Sequence, residues 1–228
     1  MAPDKPQNHP PGACSPPGLV PSKTSPLDRI EVLFDASETA KKRIKRLRRS
    51  VWASGHLHGI ARHGFRPPVA WMVTLTYRGV DDWRPDHVSA ATERFRRWCA
   101  RVRVAPRYLW VAELQQRGAV HYHLIVWLPE GVKMPHWDKW TRTPSGRPVK
   151  PIWPHGMTNV QQARTGVGYL MKYVSKLSDV STFPPGLRLY GVGGLDPQAR
   201  AVRAWHNLPE WAKRENGVGD LRRMACGL

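Results

Sequence analysis

The chain has 228 residues and a formal charge of +19, from 36 lysines and arginines against 17 aspartates and glutamates. That excess repels itself in a compact state unless a polyanion relieves it, so nucleic acid is the expected partner, while 41% hydrophobic residues and eleven tryptophans exclude a purely disordered basic tail. No apolar run approaches the ~18 residues of a membrane span. Cys14, Cys99 and Cys226 are too scattered for a disulfide framework or a zinc cluster, and the eight prolines among the first 26 residues do not read as a secretory leader. The expectation is a protein of a reducing cytoplasm.

Residues 1–27, rich in Pro, Ser and Gly, read as a disordered tail. Residues 28–66 read as a basic helical segment, with Ser37 as the helix cap and Glu38 in its first turn. Lys41, Lys42, Arg43, Lys45, Arg46, Arg48 and Arg49 put seven cations into nine residues around a narrow apolar stripe of Ile44, Leu47 and Val51. Like charges at that density call for an anion, and DNA phosphates are the predicted contact. Arg62, His63 and Arg66 extend the basic surface, and His56, His58 and His63 match no common metal spacing, so they are expected on the surface.

A folded region follows over 67–195. Val69–Tyr77 has the β-branched and aromatic content of a strand. Pro85-Asp86 opens a helix whose apolar face is Val88, Ala91, Phe95, Trp98, Cys99 and Val102. Tyr108–Gln115 and Ala119–Leu128 read as two strands joined by a tight turn. Residues 129–157 form a connection without clear period. There Trp137, Trp140 and Trp153 alternate with Lys139, Arg142, Arg147 and Lys150. Two readings stand open for these tryptophans: stacking on unpaired bases, or a small satellite core. Short strands are expected at Gly156–Val160 and Leu187–Val192, and a helix at Gly166–Leu177. Asp196-Pro197 caps a helix to about His206, within a C-terminal helical extension over 196–228. The order gives an α+β fold: a central antiparallel sheet with helices on one face.

The densest chemistry lies in Glu113-Leu-Gln-Gln-Arg-Gly-Ala-Val-His121-Tyr-His123. Residues two apart on a strand share a face, so His121 and His123 project together. A two-residue turn at Arg117-Gly118 would set Glu113 opposite Tyr122, on the wrong face. A three-residue turn, Gln116-Arg117-Gly118, uses the glycine in its left-handed conformation and sets Glu113 opposite His121, about 5 Å away. That register assembles two imidazoles and a carboxylate, a donor set for one divalent cation, Mg²⁺ or Mn²⁺, with Zn²⁺ or Fe²⁺ also accepted by the imidazoles.

The second cluster is Gly168-Tyr169-Leu-Met-Lys172-Tyr173-Val-Ser-Lys176. Tyr169, Lys172, Tyr173 and Lys176 fall at i, i+3, i+4 and i+7 on one helical stripe. Val167, Leu170, Met171, Val174 and Leu177 supply a separate packing side, so the tyrosines are expected to look into a polar cleft. A phenol is a weak nucleophile at neutral pH, and a nearby cation would assist it.

These three segments, in this order, resemble the replication initiators of the HUH endonuclease superfamily, in particular the two-tyrosine initiators of rolling-circle replication in small single-stranded DNA phages. Val73-Thr-Leu-Thr-Tyr77 resembles that family's first motif, His121-Tyr-His123 its metal motif and Tyr169-x-x-Lys172-Tyr173-x-x-Lys176 its nucleophile motif. The resemblance spans roughly 69–192 and implies an RRM-like or ferredoxin-like endonuclease domain. It implies that Glu113, His121 and His123 bind Mg²⁺ or Mn²⁺ and that Tyr173 attacks single-stranded or hairpin origin DNA, leaving a 5′-phosphotyrosine. It further implies that Tyr169 makes a second attack and that Lys172 and Lys176 hold the phosphate. Tyr122 departs from the aliphatic residue usual between the histidines, a change its opposite-facing side chain tolerates. No P-loop motif occurs, so helicase and polymerase would come from a bacterial host, in whose cytoplasm the protein would act.

Other readings stand beside this one. A transposase of the same superfamily would use the same site. A binding-only RRM-like protein would not need the Glu-His-His and tyrosine set, and a mononuclear iron oxygenase would share its two histidines and carboxylate but not the basicity.

Overall fold

Every residue from Val120 to Leu128 is buried, although His121, Tyr122 and His123 are among them. A strand buried on both sides needs cover on both sides, and that requirement organises the molecule. The computed structural model describes residues 26–60, 67–164, 166–177, 182–215 and 217, with side chains from Glu38 onward. The chain divides into two units, 1–38 and 39–228. Of the first, the described part is helical backbone; the sheet, the site and all side-chain contacts below belong to the second.

The elements are α1 (Pro26–Ile60), β1 (Val69–Thr76), α2 (His87–Arg101), β2 (Arg107–Leu114), β3 (Val120–Leu128), β4 (Thr141–Arg142), β5 (Pro148–Val149), β6 (Thr158–Gln162), α3 (Gly166–Ser175), β7 (Tyr190–Gly193), α4 (Pro197–His206) and α5 (Glu210–Glu215). Five strands form one sheet in the order β6-β1-β3-β2-β7, every neighbouring pair antiparallel. The α+β class and the antiparallel sheet are as the sequence predicts, and the arrangement is consistent with an RRM-like or ferredoxin-like fold.

The helices, however, cover both faces rather than one. The odd-numbered residues of β3 point toward α1 and α3: the His123 ring stacks on Tyr173 at 3.6 Å, and the Trp127 ring on His58 at 4.6 Å. The even-numbered residues point toward α2 and the 129–157 connection. There Tyr122 meets Trp110 and Trp153 edge-on, while Phe95 of α2 meets Tyr108 and stacks on Trp137. Trp137 and Trp153 are buried in this layer, which decides their role as core, whereas Trp140 stays 67% exposed. The same layer explains the glycines of β7. A Cβ at Gly191 or Gly193 would run into the rings of Trp110 or Tyr108, which lie flat across that edge.

Several boundaries differ from the expected ones. The first helix begins at Pro26, so Ser37 is interior rather than a cap; Ala36, Glu38 and Ala40 flank it with helix formers that tolerate a serine. Val102 is not on the α2 core face but at its C-cap, 42% exposed. The small β4–β5 hairpin and α5 carried no periodic signal, being two, two and six residues long. Ile44, Leu47 and Val51 are buried as expected, and so is His58, which lies under Trp127 instead of on the surface. His56 is exposed and stacks on Trp52. Asp196 caps α4, its carboxylate accepting from the Ala199 N–H at 2.7 Å. The tail over 1–25, Arg62, His63, Arg66, Cys14 and Cys226 lie outside the described residues; Cys99 is a buried free thiol on α2.

Candidate active site

The β2–β3 turn sets the site. The Gly118 N–H donates to the Gln115 carbonyl at 2.8 Å and the Gln115 N–H to Ala119 at 2.9 Å, closing a three-residue loop. Gly118 has φ +85°, a left-handed value that glycine adopts without a Cβ penalty. The register that follows pairs Glu113 with His121 and Tyr122 with Ala112. Thr74 and Thr76 of β1 pair with His123 and His121 from the other side. Five polar side chains thus share one face of three adjacent strands.

His123 is held at both ring nitrogens: Nε2 lies 2.6 Å from Glu113 Oε2, and Nδ1 lies 3.3 Å from Thr74 Oγ1. Thr74 has no assigned role in the sequence reading. Its signal is the alternation of Thr74 and Thr76 with the buried Val73 and Leu75. His121 differs from its neighbour. Its Nε2 is buried and has no hydrogen-bond partner. Burial, reinforced by the His123 charge, holds its pKa down at about 4, so the ring is neutral and keeps a lone pair at physiological pH. The hydrogen bond from His123, with the charges of His123 and Lys176, draws the Glu113 carboxyl below its ordinary range against the opposing effect of burial.

Helix α3 closes the site from above. Leu170 and Val174 are fully buried and anchor it on the sheet. Its placement is also set by α1: a Cβ at Gly55 would stand 2.7 Å from Val167 Cγ2, so only glycine allows the two helices to approach this closely. At the C-terminal end of α3, the Arg48 guanidinium donates to the carbonyls of Ser175 at 3.1 Å and of Val174 and Leu177 at 3.4 Å. These are carbonyls the helix itself leaves unpaired. Arg48 is therefore engaged in bracing α3, which corrects its place in the predicted phosphate-binding set. Lys41, Lys42, Arg43, Lys45 and Arg46 are exposed along α1, and Arg49 is half-buried.

On the exposed stripe of α3, Tyr173 lies flat on His123, with an interplanar angle of 13°. Burial first, then the hydrogen bond and charge of Tyr169 and the Glu113 carboxylate, hold its phenol above its ordinary range. Tyr169 is 37% exposed, with its ring centroid 5.6 Å from that of Tyr173. Lys176 Nζ sits 3.6 Å from Glu113 Oε1 and 5.5 Å from the Tyr173 ring. Lys172 is exposed and makes none of these contacts. Beside them opens a cleft of about 790 Å³, lined by Glu113, Gln116, Arg117, Tyr173, Lys176 and Phe183 among others. Arg117, a turn residue, donates to the Tyr77 carbonyl at 3.1 Å and to Gln115 Oε1 at 2.8 Å.

Among the described residues, no group of three or more His, Cys, Asp or Glu side chains stands ready as a metal cage. The donor chemistry nonetheless fits a divalent ion. Two imidazoles and a carboxylate share one face, and the buried Nε2 of His121 has no protein partner. Engaging all three on one ion would part Glu113 from His123.

The model of a replication-associated protein family, the ORF2 type, matches residues 70–178. The match covers just under half of the chain and runs from β1 through α3, so it contains Glu113, the two histidines, both tyrosines and both lysines. This likeness is consistent with a rolling-circle replication initiator, and it makes DNA the expected partner. No curated protein and no solved structure matches the chain. No described helix is long and apolar enough to cross a membrane.

Proposed function

We propose that the chain is a replication initiator of the two-tyrosine HUH type, which nicks single-stranded or hairpin origin DNA by transesterification. One observation carries the reading: the Tyr173 ring stacks at 3.6 Å on a histidine of the imidazole–carboxylate face, so a phenol and a divalent-ion donor set meet at the edge of one cleft. In the reaction, the Tyr173 oxygen bonds to the scissile phosphorus as the bond to the 3′ oxygen breaks. The products are a 5′-phosphotyrosine and a 3′-hydroxyl; the phenol loses its proton and the departing oxygen gains one.

Glu113, His121 and His123 would hold Mg²⁺ or Mn²⁺, which supplies Lewis-acid polarisation of the phosphate. The neutral His121 offers its lone pair without first losing a proton. Thr74 holds the His123 ring in orientation through Nδ1. The high phenol pKa means that Tyr173 is protonated at rest, so proton loss accompanies attack rather than preceding it. Lys176, beside both Glu113 and Tyr173, stabilises the developing phosphoryl charge. Tyr169, one turn earlier and partly exposed, is placed for the second attack that rejoins the strand. The exposed cations of α1 neutralise backbone phosphates of bound DNA, and the freed 3′ end would serve a host polymerase behind a host helicase.

The test is incubation with Mn²⁺ and end-labelled single-stranded DNA carrying the origin, read as a protein–DNA adduct that survives a denaturing gel. The parent chain and Tyr169→Phe form it, Tyr173→Phe does not, and chelation abolishes it. An adduct at full yield in Tyr173→Phe would overturn the nucleophile assignment.

A further inference from the structure

On the sheet face opposite the imidazoles, the end of α2 and the segment from Met134 to Ile152 enclose a second cleft of about 420 Å³. Its inner surface is apolar, with Ile152 buried and Trp98 half-buried. Around it stand four exposed cations, Arg101, Lys139, Arg142 and Lys150, and no carboxylate is among the lining residues. Arg142 is oriented by donation to the Gly146 carbonyl at 2.9 Å. Trp140 adjoins Lys139 and precedes β4, with 67% of its surface in solvent, although its neighbours in sequence Trp137 and Trp153 are core. An exposed indole beside an apolar slot ringed by one sign of charge lacks the features of a packing surface and has those of a strand-binding groove: aromatic area for base faces and cations for the backbone. A duplex would leave the indole and the slot without partners, because stacked pairs hide their base faces.

We infer that this cleft is a second DNA site, which holds an unpaired strand on the side of the sheet away from the nucleophile. One base enters the Trp98–Ile152 slot, a neighbouring base stacks on Trp140, and Arg101, Lys139, Arg142 and Lys150 take the phosphates. The assignment rests on charge and shape at this cleft and does not require the nicking chemistry.

The experiment is fluorescence anisotropy with a labelled oligothymidylate over a salt series, using the full chain carrying Tyr173→Phe so that no cleavage intervenes. Against that background, Lys139→Ala/Arg142→Ala/Lys150→Ala weakens binding by tenfold or more and flattens the log affinity–log salt slope by about 2, because roughly 0.7 counterions are released per single-strand phosphate neutralised. Trp140→Ala weakens binding by about tenfold and leaves the slope unchanged, since base stacking carries no counterion release. A charge-matched control at three arginines elsewhere, Arg164→Ala/Arg200→Ala/Arg214→Ala, costs less than the cleft triple. Equal losses in the two triple variants would reduce the effect to net charge and overturn the site. An unchanged Trp140→Ala, or an equal loss of affinity for a blunt duplex, would do so as well.

Discussion

The two faces of β3 carry adjacent residues to opposite ends. Tyr122, on the α2 side, is buried among Trp110, Trp153 and Tyr77, and its hydroxyl accepts from the Trp83 indole N–H at 2.8 Å. His121, on the α3 side, is nearly as buried, yet its Nε2 has no partner. The tyrosine is satisfied within the protein; the histidine keeps an acceptor open beside a cleft. For this pair of neighbours, burial alone does not distinguish structure from chemistry. The unfilled hydrogen-bonding capacity does.

The sharpest way to break the contrast is to exchange its consequences. His121→Ala is expected to lower adduct formation more than a hundredfold, as loss of a metal ligand exceeds the 10–100-fold typical of its supporting residues. The midpoint of denaturant unfolding should move little, because the ring has no hydrogen bond to lose at Nε2. Unfolding at much lower denaturant would place His121 with the structural face instead. Tyr122→Ala is the mirror case: removing a buried aromatic costs about 4 kcal/mol, read by urea titration. Tyr122→Phe should restore most of that stability, and any folded fraction of either variant should retain Mn²⁺-dependent cleavage.

A smaller effect comes from His58, which sits on the catalytic side of the sheet but, under Trp127, behaves as core. Burial, with the Arg107 charge, lowers its pKa to about 3 against an ordinary 6.5. The unfolded chain therefore takes up a proton that the folded chain refuses between those values. The contribution of the neutral ring is complete above pH 6.5 and is lost as pH falls toward 3. By pH 5 the loss amounts to about 2 kcal/mol. His58→Gln should flatten the melting temperature profile over pH 7 to 5; an unaltered profile would assign the acid sensitivity to other groups.

The mildest perturbation is Arg48→Ala, which unties α1 from the end of α3. It should cost about 1 kcal/mol of stability and slow adduct formation several-fold, while the slope of DNA binding against salt stays within error. Lys41→Ala/Lys42→Ala/Lys45→Ala should do the reverse, flattening that slope and sparing the cleavage rate at saturating DNA. If Arg48→Ala instead tracks the lysine variant, its role is phosphate contact.

Local rules made the hairpin legible. Gly118 admits the left-handed turn, and alternation then dictates that Glu113, His121 and His123 share a face. The stripe of α3 was legible for the same reason, since Leu170 and Val174 define the side that must be buried. What escaped was tertiary. His58 is buried because α1 crosses Trp127, and nothing near it in sequence says so. Arg48 is one of seven cations in a run, separated from its acceptors by more than 120 residues. Trp137, Trp140 and Trp153 are alike in composition and differ only in which side of a short hairpin they fall on. The cover on both faces could have been read from Leu124–Leu128, an unbroken apolar run that one-sided burial does not need.

The turn from Gln116 to Gly118 acts as a gauge of length. Because neighbouring side chains on a strand alternate, its residue count determines parity: three loop residues bring the carboxylate to the imidazoles, and two or four in this same sequence would bring it to the phenol of Tyr122. One residue gained or lost in the flanking strands, with the three-residue loop re-formed around its glycine, would slip the ladder by a single step. Such a slip could leave a ribbon that still grips DNA and no longer cuts it.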